Sequence, residues 1–344
     1  MVESTNIKEV ARLAGVSAGT VSNVLNHPHR VRETTRTRVH QAITQLGYVR
    51  NDTARQLRTG SSRQIAVVVL NVTNPFFTDV VHGVEIAAEE HGVAVVVCNS
   101  GSDPDRERRH LSLLEEQRIR GVLITPVNDE HMTRLHQLAA RGIPVVLVDQ
   151  SAGWTNRCSV TVDDVQGGRL AAQHLLERGH RHLAFAGGPL GVPQVADRHR
   201  GFTDAACGAR IAMAHTATLS IASGREAAAE LAALPADERP TAVFCANDLL
   251  ALGMLQGVMQ RGLRVPQDVA IVGYDDIEFA AAATVPLSSV RQPREQLGRT
   301  AAELLLDEIV SGAAHKHRQV LFQPELIARA STDPGSGMVA SGPR

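Results

Sequence analysis

The sequence has few aromatic residues, few cysteines and no long apolar run. Aromatic residues make up 3% of the 344 residues, so a core must be mostly aliphatic. The four cysteines lie far apart without a CxxC pair, which indicates buried free thiols in a reducing compartment. No apolar run reaches about 18 residues, and the start MVESTNIKEVARLAG lacks a signal-peptide core. The sequence therefore predicts a soluble cytoplasmic protein.

Motifs of common enzymes and metal proteins are also missing. The chain has no Walker A motif, no GxGxxG after a strand and no HExxH. The stretch GVSAG at 15–19 matches the GxSxG of serine hydrolases, but that motif needs a strand before its serine, and a helix is predicted before Ser17. No third metal ligand is evident beside the three i,i+2 histidine pairs, which are His27/His29, His180/His182 and His315/His317. We expect no catalytic residue, no cofactor and no metal site.

Charge is divided unevenly along the chain. Residues 1–60 carry nine Lys and Arg against four Asp and Glu, whereas the remainder has a net charge of −6. A basic head on an acidic body indicates that the head contacts an anion, most often nucleic acid. The alternative is an ordinary fluctuation of surface charge.

The first fifty residues predict three short helices. Asn6 and Glu9 have the spacing of a capping box, Gly15 ends the first helix and Ser17 is placed to cap the second. Each helix has one apolar face. These faces consist of Ile7, Val10, Ala11 and Ala14, of Val21, Val24 and Leu25, and of Val39, Ala42, Ile43 and Leu46. Two short helices joined by a glycine turn predict a helix-turn-helix.

The second helix of such a motif enters the DNA major groove with its N-terminal residues first. Ala18 suits a thymine methyl group and Asn23 suits adenine, whereas the neighbouring hydroxyls and arginines suit phosphates. The alternative is a three-helix bundle that binds a protein. The predicted DNA contacts of the head are Ser17, Ala18, Gly19, Thr20, Ser22, Asn23, Asn26 and Arg32.

A further short helix is predicted from Asp52 to about Arg58. It is too short to be stable alone in water. It is therefore either a flexible linker or a helix that forms only when the protein binds DNA, with Leu57 as a wedge in the minor groove. The predicted contacts of this hinge are Ala54, Arg55, Leu57 and Arg58.

The segments NIKEVARLAGVSAGTVSNVLN and TRTRVHQAITQLGYVRNDTARQLRTG together resemble the head of the lactose/galactose repressor family. In that family, paired hinge helices insert leucines into the centre of a near-palindromic operator. Leu57 matches that leucine, and Ala54 matches the small residue at which paired hinges meet. Ala18 and Gly19 stand where larger base-reading residues are common. The resemblance therefore implies that Asn23, Leu57 and DNA deformability carry more of the specificity.

From Ser61 onward, eight apolar strand-like runs alternate with helix-length segments. Continuous apolar strands between helices predict buried parallel sheets, and two groups of runs predict an α/β body of two doubly wound units. The runs are 65–71, 93–100, 121–127, 143–149, 158–163, 182–188, 241–248 and 269–276.

Ligands bind beyond the carboxyl ends of strands in such sheets. Each polar residue at these ends could alone be a cap or turn residue, which is the interpretation favoured for Asp248 and Asp276, but their convergence predicts a ligand site. The residues predicted to bind a small polyhydroxylated ligand are Phe76, Phe77, Asp149, Arg198, Asn247 and Asp275.

The body also resembles the two-lobed, periplasmic-binding-protein-like body of the same family. That resemblance implies that these six residues line the effector cleft and that the effector is a sugar or sugar derivative. Leu219 stands where the family often has an aromatic residue, which makes a flat purine-like ligand or a large sugar less favoured. Trp154 either shields the mouth of the cleft or lies on a surface loop.

The predicted function is a transcriptional regulator, a repressor, that binds DNA as a homodimer under effector control. The alternatives are a periplasmic-type sugar sensor with an unrelated head and a doubly wound enzyme. The predicted domains are a helix-turn-helix head at 1–50, a hinge and linker at 51–62, an effector-binding and dimerisation body at 63–334 and a flexible tail at 335–344. Within the body, an N-lobe is predicted at about 63–162 and 292–323, and a C-lobe at about 163–291 and 324–334.

Overall fold

The computed structural model describes residues 6–48, 62–128, 132–150 and 157–333. The chain divides into two compact units, Met1–Ser62 and Arg63–Arg344. Some sequence predictions lie outside the described residues, namely those for Ala54, Arg55, Leu57, Arg58, Trp154 and the tail 335–344.

The head contains the three predicted helices, α1 (Ile7–Ala14), α2 (Ala18–Asn26) and α3 (Glu33–Leu46). Asn6 and Glu9 form the predicted capping box. A short 3-10 turn, Pro28–Arg30, connects α2 to α3. The buried core is small and aliphatic, and consists of Val10, Ala11, Ala14, Val21, Val24, Val39 and Ala42.

The turn between α1 and α2 depends on one glycine and one arginine. Gly15 has a φ of 61°, in the left-handed region that favours glycine. Arg38 of α3 donates to the Ala14 carbonyl from Nε at 3.2 Å and to the Gly15 carbonyl from Nη2 at 3.1 Å. These bonds tie the turn to the third helix. This role of Arg38 was not predicted, because Arg38 and Ala14 lie 24 residues apart in the sequence.

The body contains two six-stranded sheets. The first sheet has the order β11–β5–β4–β3–β1–β2, and its paired strands are all parallel. Its strands are β1 (Gln64–Val69), β2 (Ala94–Asn99), β3 (Val122–Ile124), β4 (Val145–Val148), β5 (Ser159–Val162) and β11 (Gln319–Phe322).

The second sheet has the order β12–β10–β9–β8–β6–β7 and is parallel except for the antiparallel β10–β12 pair. Its strands are β6 (His182–Gly187), β7 (Arg210–His215), β8 (Ala242–Cys245), β9 (Ala270–Asp275), β10 (Ser288–Arg291) and β12 (Glu325–Ile327). The two doubly wound units of the sequence prediction are confirmed.

Helices accompany both sheets of the body. They are α4 (Pro75–Glu90), α5 (Pro104–Glu116), α6 (Met132–Ala140), α7 (Asp164–Glu177), α8 (Pro193–Ala205), α9 (Ile221–Ala233), α10 (Asp248–Gln260), α11 (Glu278–Ala282) and α12 (Arg294–Ser311). Among the described residues, no helix is both long and apolar enough to cross a membrane.

All eight predicted strands are present, and four further strands were missed. Strand β7 is mostly half-buried rather than apolar and buried, and the edge strands β11 and β12 are also partly exposed. Strand β10 is buried but begins with two polar residues, Ser288 and Ser289, which form hydrogen bonds with Ser331 and Asp248 outside the sheet. A search for continuous apolar runs does not find such strands.

Helices α4 and α12 pack backbone against backbone. A Cβ atom on Gly83 would lie 2.0 Å from the Glu295 carbonyl oxygen, and one on Gly298 would lie 1.9 Å from the Val80 carbonyl oxygen. Neither position has room for a side chain. The contact fixes α12 along the first sheet, with its first turn close to the end of β9.

Candidate functional site

A cavity lies where the carboxyl ends of the two sheets meet. Its walls come from the loop after β1 and the start of α4, from the end of β4, from α8, and from the ends of β8 and β9. All six predicted ligand residues line this cavity, and all are buried: Phe76, Phe77, Asp149, Arg198, Asn247 and Asp275. The structure therefore brings together residues that are up to 199 positions apart in the chain.

Arg198 is held from several sides. Its Nε donates to Asp164 Oδ1 at 2.8 Å, and its Nη1 donates to the Ala246 carbonyl at 2.8 Å. The guanidinium carbon lies 3.8 Å from the centre of the Tyr274 ring, a cation–π contact. Burial lowers the pKa of Arg198, but the neighbouring carboxylates, Asp164 foremost, together raise it by more than burial lowers it. The net shift of the pKa is therefore upward. The cavity thus has a fixed positive charge.

Asp275 ends β9 and connects the two sides of the cavity. Its Oδ1 accepts from Gln292 Nε2 at 2.8 Å, and Asn74 Nδ2, which follows β1, lies 3.5 Å from its Oδ2. Its backbone has a φ of 104°, a strained value of the kind that concentrates at functional sites. Burial raises the pKa of Asp275 to about 6, against the opposing effect of Arg198.

Asp149 follows β4 and also has a left-handed backbone, with a φ of 56°. Burial raises the pKa of its carboxyl well above the ordinary value, and the nearby Asp164 raises it further. Gln194 donates a hydrogen bond to the Asp149 carbonyl. Within the described residues, Asp149 Oδ1 and Gln194 Oε1 are buried without a hydrogen-bond partner. Buried unpaired acceptors are costly, so these two atoms are suited to a ligand that donates hydrogen bonds.

Asn247 has a structural role at the same place. It is the N-cap of α10: its Oδ1 accepts from Leu250 N at 2.9 Å, and its Nδ2 donates to the Leu219 carbonyl at 3.3 Å. Asn247 therefore both caps α10 and lines the cavity. Leu219 itself lines the cavity, at the position where an aromatic residue was expected from the family.

The apolar part of the cavity wall consists of two phenylalanine rings and four aliphatic side chains. Phe76 and Phe77 meet edge to face, with ring centres 5.0 Å apart and planes at 77°. They are joined by the aliphatic residues Leu70, Val192, Val195 and Leu219. This combination of apolar walls with a few fixed polar groups is typical of small-molecule sites.

Asp248 and Asp276 do not line the cavity. Asp248 accepts from Ser289 Oγ at 2.7 Å and from Ile277 N at 2.8 Å. Asp276 pairs with Arg291 and Arg329. Both stabilise the end of β9 through partners distant in the chain, whereas the sequence favoured a local cap or turn role for each.

Three polar residues of the site were not predicted from the sequence. Gln194, Asn74 and Gln292 bond to Asp149 or Asp275, and the first two line the cavity. Asn74 is the N-cap of α4, Gln194 lies in the first turn of α8 and Gln292 follows β10, and none of these local positions indicates a bond to Asp149 or Asp275.

The predicted DNA-contacting face of α2 is partly engaged in its own helix. Ser17 Oγ accepts from Thr20 N at 3.1 Å, which confirms the predicted cap. Asn26 donates to the Ser22 carbonyl at 2.8 Å. Ala18 is half-buried and packs against the head core, so less of its methyl group faces outward than predicted. The exposed residues among the predicted contacts of the head are Ser17, Gly19, Asn23 and Arg32.

Comparisons with known proteins agree with both units. The model of the bacterial regulatory proteins, lacI family, matches residues 6–51, and a periplasmic binding protein-like domain matches residues 172–332. The HTH-type transcriptional repressor PurR of Aliivibrio fischeri is 35% identical over 331 residues, which cover 94% of this chain and 97% of the relative.

Two solved structures are similar over nearly the whole chain. The Lac repressor dimer bound to operator and the anti-inducer ONPF matches with a TM-score of 0.83 and 28% identity, over 96% of this chain and 99% of that chain. The complex of the transcriptional regulator CelR with cellobiose matches with a TM-score of 0.69 and 33% identity, over 95% and 99%.

Proposed function

We infer, because the chain belongs to the lacI family of bacterial regulatory proteins, that its cavity holds the effector that controls its head. The protein is a DNA-binding regulator of transcription and not an enzyme. The observation that carries the inference is the convergence of the six predicted residues around one cavity that also contains unpaired buried acceptors.

The proposed effector is a sugar or a sugar derivative. Asp149 Oδ1 and Gln194 Oε1 need donors, and hydroxyl groups supply them while also accepting from Arg198. Leu219 gives a flat aromatic ligand no stacking partner at its position. The similarity to a cellobiose-bound regulator supports the same class.

The proposed target is a near-palindromic operator bound by a homodimer. Two copies of α2 would enter successive major grooves, because a two-fold dimer matches a palindrome. The similarity to a Lac repressor dimer bound to operator supports this arrangement. Leu57 and its neighbours lie outside the described residues, and their insertion into the minor groove stays a prediction.

A thermal-shift screen of sugars on the full chain tests the proposed effector. A ligand at 100 times its Kd stabilises the folded state by about 2.7 kcal/mol and raises its Tm. Asp149→Ala, which removes the acceptor, should abolish the shift given by the best sugar. The control is Asp268→Ala, because Asp268 pairs with Arg264 and does not line the cavity. An equal shift in both variants would place the sugar elsewhere.

A further inference from the structure

A cluster of metal-ligating side chains lies outside the cavity. One ligand atom from each of Cys158, Glu308, His315 and His317 lies within 4.8 Å of all the others. Cys158 immediately precedes β5, Glu308 lies in the last turn of α12, and the two histidines lead into β11. The cluster is therefore at the amino ends of β5 and β11, whereas the cavity is at the carboxyl end of the sheet.

The distances fit one small tetrahedral ion. Cys158 Sγ is 3.1 Å from His315 Nε2 and 3.8 Å from His317 Nδ1, and His317 Nδ1 is 3.9 Å from Glu308 Oε2. Bonds of about 2.0–2.3 Å place tetrahedral ligands about 3.3–3.8 Å apart. These three distances lie within a few tenths of an ångström of that range, and the remaining pairs, all within 4.8 Å, need to close by at most about 1 Å.

Two further observations point to a cation. His315 Nδ1 lies 2.9 Å from Asp307 Oδ2, so this carboxylate orients the ring and leaves Nε2 directed at the cysteine sulfur. Metal-bound histidines almost always have such a partner on the other ring nitrogen. Among the described residues, Glu308 Oε2 is buried without a hydrogen-bond partner.

The same contacts have the order of a Cys–His–Asp nucleophile, but the burial does not suit one. Cys158 is 0% exposed and the His315 side chain is 1% exposed. A reactive cysteine needs access to its substrate. A catalytic triad also leaves His317 and Glu308 without a role, whereas a metal ion uses all four groups.

We propose that Cys158, Glu308, His315 and His317 bind one divalent transition-metal ion of the zinc class. Thiolate and imidazole ligands select such ions over magnesium and calcium. Four protein ligands fill a tetrahedral shell, so the ion is structural and ties the starts of β5 and β11 to the end of α12. The sequence alone did not predict this site, because Cys158 lies 157 residues before His315.

The test uses the full chain, stripped of metal with a chelator and titrated with Co²⁺. We expect a thiolate-to-cobalt charge-transfer band and the intense visible bands of tetrahedral cobalt, both saturating at one ion per chain. Zn²⁺ should displace the cobalt and raise the Tm, because it binds only the folded site.

Three variants make the result specific. Cys158→Ser should remove the charge-transfer band, whereas Cys207→Ser, which replaces an exposed thiol outside the cluster, should retain it. Asp307→Asn should weaken Co²⁺ binding about 10- to 100-fold and keep the band. His317→Gln, at a partly exposed position, tests the site if Cys158→Ser does not fold.

The proposal is overturned if Co²⁺ added to the stripped chain gives no charge-transfer band, or if Zn²⁺ leaves the Tm of the stripped chain unchanged. It is equally overturned if His317→Gln binds Co²⁺ as tightly as the unaltered chain and with the same spectrum.

Discussion

Arg198 and Asp164 form a buried ion pair, with side chains 5% and 7% exposed. Removing one partner of such a pair leaves the other charge buried and uncompensated. The integrity of the cavity therefore depends on Arg198 in two ways, through ligand binding and through the neutralisation of Asp164.

Arg198→Met should lower the free energy of unfolding by about 3–5 kcal/mol and abolish the effector response. Arg200→Met on the same helix is the control, because Arg200 and its partner Asp197 are exposed and should contribute less than about 1 kcal/mol. Urea unfolding of both variants measures the difference. Equal losses would show that Asp164 does not need its partner.

Asp275 predicts a dependence of stability on pH. Its folded pKa of about 6 exceeds the ordinary value of 3.8, so the folded state binds this proton more tightly than the unfolded state. The resulting stabilisation is complete below pH 3.8 and is lost as the pH rises through about 6. It amounts to about 3 kcal/mol.

Asp275→Asn mimics the protonated carboxyl at every pH. The free energy of unfolding of the unaltered chain, relative to this variant, should therefore fall by roughly this amount between pH 4 and pH 7.5. Unfolding at the two pH values measures the change. A difference between the two proteins that does not vary with pH would contradict the prediction.

The residues at the ends of strands could be predicted from the sequence because the fold class alone specifies where those ends meet. Asp149, Asn247 and Asp275 each follow an apolar run directly. Gln194 and Asn74 could not be predicted in this way, since the direction of their side chains is set by partners distant in the chain.

At the scale of elements, α2 begins with a cap that one hydroxyl provides. Ser17→Ala should cost about 1 kcal/mol of stability and weaken operator binding. We expect no hydrolytic activity in either the unaltered chain or the variant. Ser17→Asn retains a capping side chain and should restore most of the stability. If both variants weaken DNA binding equally while only Ser17→Ala is destabilised, Ser17 contacts the DNA directly.

The hinge gives a separate prediction, drawn from the family resemblance. Leu57→Ala should reduce specific operator binding far more than non-specific binding, because the phosphate contacts remain. Affinities for operator and for unrelated duplex DNA, measured at two salt concentrations, test this prediction. Equal losses on both DNAs would exclude a wedge.

Secondary-structure elements were predicted best where a hydrophobic pattern, with or without capping residues, specifies them. The buried parallel strands are such elements, and so are the three head helices with their Asn6, Ser17 and Gly15 boundaries. The edge strands β11 and β12 were missed because their partly exposed side chains lack that pattern. Their places depend on strands far away in the chain.

For the whole molecule, one prediction follows from thermodynamic linkage. The factor by which the effector changes operator affinity must equal the factor by which the operator changes effector affinity, typically about 5- to 150-fold. Titrations of each ligand with and without the other measure both factors. Asp149→Ala should leave operator binding in place and bring the effector-dependent factor close to one.

The close packing of α4 against α12 at Gly83 and Gly298 has a practical consequence for redesigning this regulator. A library aimed at a new effector can vary the half-buried cavity positions Leu70, Val192 and Leu219, whereas Val195 is fully buried in the core of the second sheet and should be kept. The two glycines must be kept, because any side chain there would collide with a backbone carbonyl. The same fold therefore offers one region open to directed evolution and one in which almost every variant would be lost.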